Sequence, residues 1–202
     1  MIISTKAIIL RCIDYQDSSK IITALSQEHG KISLIAKGAK KPKSKLAGVI
    51  EVGNILDVNY YYKKTRNIQT LSDASISYQS LNFRKDFERA AILYSSLELV
   101  SQLVHENEEN IEIFIFTNLI HPSIFAYVQL RLAQLVGIGV IDETNNEQNI
   151  YLNISSGTIA GSADSELTYT LTSLQALFVK TSLKSQNKEI FTLGLERSEL
   201  KQ

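Results

Sequence analysis

The sequence predicts an α+β protein of two domains, a small five-stranded β-barrel followed by a mainly helical domain. Three observations predict it. Apolar residues recur with a period of two as far as residue 77 and with spacings of three and four from residue 82. Charge changes sign at the same place: residues 1–85 hold 14 Lys and Arg against 6 Asp and Glu, a net +8, and residues 86–202 hold 7 against 15, a net −8. The 202 residues are 44% hydrophobic, enough for one core or two small ones. The boundary is therefore expected near residue 80, with domains over 1–80 and 81–202.

The first strand is read over residues 6–11 and the second over 20–25. Glu28, His29 and Gly30 supply the turn into a third, where Ile32, Leu34 and Ala36 alternate with Lys31, Ser33 and Lys37. That alternation is the mark of one buried face. A fourth strand puts Leu56, Val58, Tyr60 and Tyr62 on one face and Asp57, Asn59, Tyr61 and Lys63 on the other. A polar hairpin at Lys64, Thr65, Arg66 and Asn67 leads into a fifth, over 68–77. Five short antiparallel strands suffice for a closed or nearly closed barrel, which leaves no edge to aggregate.

Beyond Asn82, Phe83, Phe87, Ala90, Tyr94, Leu97, Ser101 and Val104 form the stripe of a long helix. A second helix is expected over 111–119, with Glu106, Glu108, Glu109 and Glu112 at its start, where the helix dipole favours negative charge. Pro122 reads as the first position of a third helix and Gly137 as its stop. Between Gly137 and Thr168 the sequence shows only a polar loop over 142–149 and a strand-like pair near 151–154 and 158–160. A last helix covers about 173–183.

Several classes are excluded. High hydrophobicity with no net charge is not the composition of a disordered tail. Cys12, the single cysteine, has no disulfide partner in the chain. Residues 7–10 are far too few to span a bilayer, and Lys6 interrupts the one candidate signal-peptide core, so a reducing cytoplasm is the expected location. Asn153-Ile154-Ser155 fits a glycosylation acceptor by chance.

Nor do the residues assemble a catalytic or cofactor site. His29, His105 and His121 stand in no metal-ligand spacing. Ser185-Gln186-Asn187-Lys188 has the Ser-x-x-Lys spacing without its partner motifs, and Gly137 and Gly139 lack the strand and third glycine of a phosphate loop. The chain is read as no enzyme, with no catalytic residue, metal or cofactor.

The strongest chemical feature is the run Lys37-Gly38-Ala39-Lys40-Lys41-Pro42-Lys43-Ser44-Lys45, read as a flexible cationic loop at the end of the third strand. A solvated surface loop is the plain alternative. Arg11, Lys20, Lys31, Lys63, Lys64 and Arg66, on or beside the same barrel, favour a phosphate-binding surface, and lysines predict sequence-tolerant contacts. Of the run Tyr60-Tyr61-Tyr62, Tyr60 and Tyr62 are assigned to the core. Tyr61 is left between stacking on a base and pairing across strands.

Residues 7–81 resemble the N-terminal domain of RecO, a family of bacterial recombination mediators. The resemblance is carried by residues 6–11, by Asp14-Tyr15-Gln16-Asp17-Ser18-Ser19-Lys20-Ile21-Ile22-Thr23, and above all by residues 29–46, a turn, a strand and a basic loop containing Pro42. It continues into Leu130-Arg131-Leu132-Ala133-Gln134-Leu135-Val136-Gly137. It implies an OB-fold followed by a helical domain, binding to single- and double-stranded DNA, and no bond-making chemistry. It also implies annealing of complementary strands and, with the partner RecR, loading of the RecA recombinase onto DNA coated by single-stranded-DNA-binding protein, whose acidic tail the family recognises.

Carried onto this chain, the resemblance makes Arg11, Lys20, Lys37, Lys40, Lys41, Lys43 and Lys45 the DNA-facing residues, beside Tyr61 and Arg66 read from the barrel itself. It makes Arg131 the candidate for an acidic partner tail, against a structural ion pair as the alternative. Two departures stand out: residues 138–165 hold no Cys, so the four-Cys zinc site of many members is absent there, and the chain ends earlier than most, so shortened last helices are expected. An RNA-binding or ribosome-associated OB module and a protein adaptor with a basic docking loop remain the alternatives from other classes.

Overall fold

The computed structural model describes residues 1–106, 113–114, 125–145 and 147–184. They fall into two compact units, Met1–Ile120 and His121–Gln202. Of the helix expected over 111–119, Ile113 and Phe114 are described, both buried. The start at Pro122, His121, the acidic residues 108, 109 and 112, and the motif at 185–188 lie outside the described residues.

In the first unit β1 (Ile2–Tyr15), β2 (Ser19–Ser26), β3 (Gly30–Ala36), β4 (Ile55–Tyr61) and β5 (Ile68–Tyr78) close a barrel in the order β1-β2-β3-β5-β4. The expected alternation holds: Ile32, Leu34 and Ala36 of β3 and Leu56, Val58 and Tyr60 of β4 are buried in one core with Ile9, Ile22 and Leu71. The all-antiparallel expectation does not hold, because β3 and β5 pair in parallel, Ser33 beside Ile68 and Ile35 beside Thr70. Parity requires this: strands alternating in direction around a ring must be even in number, so a ring of five contains a parallel pair.

β1 is longer than its sequence pattern suggests because it serves two partners. Ile2–Ile8 pairs with β4 and Ala7–Tyr15 with β2, with a bulge between Ile9 and Arg11. Ala7 and Ile9 belong to the barrel core, and Ile8 and Leu10, outside that core, are buried as well, so the period of two is lost there. Gly30, at φ 62°, makes the turn into β3.

The lysine-rich segment after β3 is not a loop without regular hydrogen bonding. It runs in consecutive turns, with Lys41 N–H donating to Gly38 O (3.1 Å), Ser44 to Lys41 O (2.9 Å) and Ile50 to Leu46 O (3.1 Å). Ala39 and Ile50 are buried in the barrel core, with Leu46, Val49 and Val52 packed against it, so the segment plugs one end of the barrel. Burial of aliphatic side chains at about 1.5–3 kcal/mol each holds such a plug in place.

Helices α1 (Leu81–Arg84) and α2 (Phe87–Leu103) follow, separated by Asp86, whose carboxylate accepts the N–H of Arg89 at 3.0 Å as an N-cap. The stripe predicted for this helix holds in part, since its Leu97 and Val104 are buried. Phe87 is 91% and Tyr94 44% exposed, and the buried residues are Leu93, Ser96, Leu97 and Val100. α2 packs on β1. The join is pinned by Asn54, fully buried, whose Oδ1 accepts from Ser80 N–H (3.1 Å) and Oγ (3.2 Å). Arg84 pairs with Glu51 and donates to Val52 O at 2.8 Å.

The second unit holds α3 (Phe125–Leu135), α4 (Ser173–Lys184) and four short strands, β6 (Ile141–Asp142), β7 (Ile150–Asn153), β8 (Thr158–Ala160) and β9 (Thr168–Leu171). Gly137 ends α3 as expected: its φ is 80°, its N–H reaches Gln134 O (3.0 Å) and that of Ile138 reaches Ala133 O (2.9 Å), a Schellman closure. Where the sequence shows one strand-like pair, the structure has a sheet of order β6-β8-β7-β9. β6 is two residues at the edge of the expected polar loop, and β9, Thr-Tyr-Thr-Leu, buries neither face, so neither carries a stripe to read. Asn153, 2% exposed, ties the sheet to its loops, donating to Ser162 O (3.1 Å) and accepting from Thr168 Oγ1 (2.9 Å) and Asp164 N–H (3.3 Å).

Candidate nucleic-acid interface

The plug turns its apolar residues inward and leaves Lys37, Lys40, Lys41, Lys43 and Lys45 exposed. Its docking onto the tip of the β1–β2 hairpin is specific. Lys40 N–H donates to Ser18 O at 2.9 Å, its Nζ to Gln16 O at 3.3 Å, and the ammonium lies 3.0 Å from the Asp14 carboxylate. Lys20, opposite Asp14 in the β1–β2 register, lies 3.9 Å from the same carboxylate. The hydrogen bond from Lys40, with the charge of Lys20 behind it, holds the Asp14 carboxyl below the usual range. The structure thus brings together Lys20, Lys40 and the four other lysines of the plug at one rim of the barrel, with Asp14 paired among them and Asp17 exposed in the adjoining turn.

The remaining expected residues lie elsewhere. Arg11 is exposed on the outer wall, in a row Arg11–Thr23–Ser33–Ile68 across four strands. Tyr61, 47% exposed, sits opposite Ile2 and Thr70 on the outer wall of β4, whose other outward residues include Asp57 and Asn59. Arg66 stands in the β4–β5 loop at the far end of the barrel, away from the plug. Arg131, on α3 of the second unit, donates to Gln134 Oε1 at 2.6 Å.

Three cations counted towards the basic half have structural tasks. Lys31 donates to Ser101 O (2.8 Å) and so satisfies a carbonyl in the last turn of α2. Lys6 pairs with Asp57 at 2.7 Å, and Arg84 belongs to the join described above. No ion pair among the described residues engages Arg11, Lys37, Lys41, Lys43 or Lys45.

Sequence reading missed an aromatic residue. Tyr15, 40% exposed, ends β1 beside Asp14, on the same outward phase as Arg11 and Ile13. Next to it the register sets Ile13, Ile21 and Ile35 side by side on the outer wall. Tyr15 and this aliphatic row adjoin the lysines and offer the flat, apolar contact that unstacked bases need, which Tyr61 does from another part of the wall. The signal was the alternation Arg11, Ile13, Tyr15, visible once β1 is known to continue past Arg11.

Among the described residues no cluster of His, Cys, Asp and Glu is placed to hold a metal, and no helix is long and apolar enough to cross a membrane.

Residues 1–79 match the family model for the recombination protein O N-terminal domain. Similar curated proteins include the DNA repair protein RecO of Chlorobium limicola, 42% identical over 114 residues, which are 56% of this chain and 44% of that protein. The RecO of Pelodictyon phaeoclathratiforme is 35% identical over 147 residues, 68% of this chain and 56% of the relative. That of Salinibacter ruber is 32% identical over 157 residues, 72% and 60% respectively. The chain spans about half the length of the curated relatives it matches.

Proposed function

Through its N-terminal domain the chain belongs to the RecO family of DNA repair proteins, and from that premise we propose that it is a DNA-binding recombination mediator that works by binding and not by bond making. The barrel rim neutralises phosphates of single- and double-stranded DNA through Lys20 and the plug lysines. Arg11 extends the track along the outer wall, and Tyr15 and the aliphatic row receive bases. Two strands held on such a surface lose much of their mutual repulsion, which is what annealing requires.

Assistance to recombinase loading on DNA coated by single-stranded-DNA-binding protein, a RecR-like partner, and Arg131 as a contact for an acidic tail complete the reading. A place in the cytoplasm at the nucleoid follows from the same reading. The family relationship supports these parts.

The observation that carries the proposal is the orientation of the plug: its anchors are aliphatic and inward, and its five lysines are exposed. Its cationic surface can therefore be removed without removing the anchors. If about five phosphates of a single strand are neutralised, log K falls with log salt at a slope of about −3.5. Replacing Lys40, Lys41, Lys43 and Lys45 by Ala should flatten that slope to about −0.7 and abolish annealing, with the circular dichroism of the barrel preserved. An unchanged slope removes the plug from the interface. Equal or tighter binding of matched RNA moves the function to an RNA partner, and no oligonucleotide shift at low salt leaves a protein adaptor.

A further inference from the structure

The plug closes one end of the barrel; the other end is left open by the described residues. There a cavity of about 510 Å³ is walled by the start of β1, the β2–β3 turn, the β4–β5 loop and Glu106 beyond α2. Its size is that of a small-molecule site, for which about 300–1,000 Å³ is usual. Ile3, Ile32 and the rings of Tyr60 and Tyr62 form its apolar side, and His29, Lys31, Ser33, Asn67 and Gln69 its polar one.

The cations of the rim are held in a built turn. Gln69, buried, accepts Lys63 N–H at 2.8 Å and donates to Lys63 O (3.1 Å) and Arg66 O (2.5 Å), while Arg66 N–H closes on Lys63 O at 3.0 Å. Three side-chain bonds from one amide to the loop backbone fix the base from which Lys64 and Arg66 project at the mouth. Opposing them is one carboxylate, that of Glu106, which accepts from Ser33 Oγ at 3.3 Å.

A pocket with the Tyr62 ring on its wall and the Lys64 ammonium and Arg66 guanidinium at its lip is complementary to a flat unsaturated ring that carries a phosphate. We propose that the open end of the barrel is a nucleotide site, separate from the plug, with the base against Tyr62 above Tyr60 and the phosphate at Lys64 and Arg66. A free mononucleotide and the terminal nucleotide of a strand share this chemistry. The site lies the length of β3 from the lysine plug, about 20 Å for seven residues. It goes beyond the plug-based reading and does not depend on it.

The test is calorimetric titration of the full chain with thymidine 5′-monophosphate, thymidine and inorganic phosphate. The nucleotide should bind at least about tenfold more tightly than either fragment, since each supplies only one of the two contacts. Lys64→Ala with Arg66→Ala, and separately Tyr62→Leu, should each weaken it about tenfold or more, while the Lys40, Lys41, Lys43, Lys45 variant binds it normally. That last result would stand even if the plug proved to bind no DNA.

Displacement of the nucleotide by a 5′-phosphorylated oligonucleotide assigns the ligand to strand ends, and failure to displace assigns it to free nucleotide; both support the site. Three results overturn it: no heat at millimolar nucleotide, phosphate binding as tightly as nucleotide with Tyr62→Leu silent, or a loss that follows the plug lysines instead of Lys64 and Arg66.

Discussion

Asp14→Asn should make the protein bind DNA more tightly, and more salt-sensitively. The carboxylate stands 3.0 Å from Lys40 Nζ and 3.9 Å from Lys20 Nζ, in the middle of the surface proposed to meet phosphates. Each phosphate must share these two ammonium groups with it, so the pair together neutralises about one phosphate fewer than two free lysines would. Removing the charge restores that phosphate, and each one adds about −0.7 to the single-strand slope, which should steepen from about −3.5 to about −4.2. Over a fourfold rise in salt, from about 50 to about 200 mM, the variant should then lose about 2.6-fold more affinity than the parent, having started ahead of it.

Fluorescence anisotropy of a labelled oligothymidine at four salt concentrations measures this. The plug stays docked meanwhile, because Lys40 N–H to Ser18 O and Lys40 Nζ to Gln16 O do not involve the carboxylate. Asp17→Asn is the control, a neighbouring exposed acid with the same change of charge. Weaker binding at an unchanged slope would refute the reasoning and make Asp14 a structural clasp. The same gain in Asp17→Asn would show that net charge alone acts.

Three further outcomes follow from the packing and the titrating groups. Gly53→Ala should destabilise the first unit by about 2–3 kcal/mol, because its φ of 84° strains an L residue and the new Cβ would lie 2.8 Å from Leu93 Cδ2; an unchanged urea midpoint would contradict this. Asn153→Ala should cost about 1–2 kcal/mol in the second unit by removing the side-chain bonds to Ser162 O, Asp164 N–H and Thr168 Oγ1, with oligonucleotide affinity unaltered; the check is thermal unfolding beside anisotropy. Asp142 is raised by burial but more strongly lowered by hydrogen bonds from Thr144 and by Lys184, so its carboxyl, like that of Asp14, ionises below the usual range in the fold. A depressed folded pKa contributes stability that is present above the unfolded value, about 3.9, and is lost as pH falls through the folded value. Unfolding midpoints should therefore be level near neutrality and drop below about pH 4, and Asp142→Asn should shallow that drop.

The barrel was legible wherever a strand buries one face. Ile32, Leu34 and Ala36 on β3, and Leu56, Val58 and Tyr60 on β4, alternate because their neighbours meet solvent or other elements less closely. Legibility failed where both faces are covered. Ile8, Ile9 and Leu10 are buried together, so their strand shows no period, and its continuation to Tyr15 was hidden with it. The phase of α2 was legible only in part for a related reason: Phe87, Ala90, Ala91, Ile92, Leu93, Tyr94 and Leu97 surround the helix with apolar choices, and only packing selects Leu93 and Leu97 for burial. At the candidate site the number of lysines could be read but not their partners. Nothing in the local sequence says that Lys31 reaches a carbonyl seventy residues on while Lys41 and Lys43 reach no described acid.

That difference in partners decides how a chain of zero net charge can hold a polyanion. Of the six acids in residues 1–85, Asp57 and Glu51 are occupied by Lys6 and Arg84, and Glu28 accepts from Thr5, so three of them are engaged by side chains of the fold itself. Asp14 alone is shared with the plug lysines. Screening then separates the two ends of the barrel. At physiological ionic strength charges interact over about 8 Å, and the plug and the Lys64–Arg66 rim are about 20 Å apart. Each end should therefore answer to its own cations: changes at the plug should alter the salt slope without touching nucleotide binding at the open end, and changes at Lys64 and Arg66 should do the reverse. Coupling between them in the combined variant, beyond the sum of the separate effects, would mean that a single ligand spans the barrel from rim to rim.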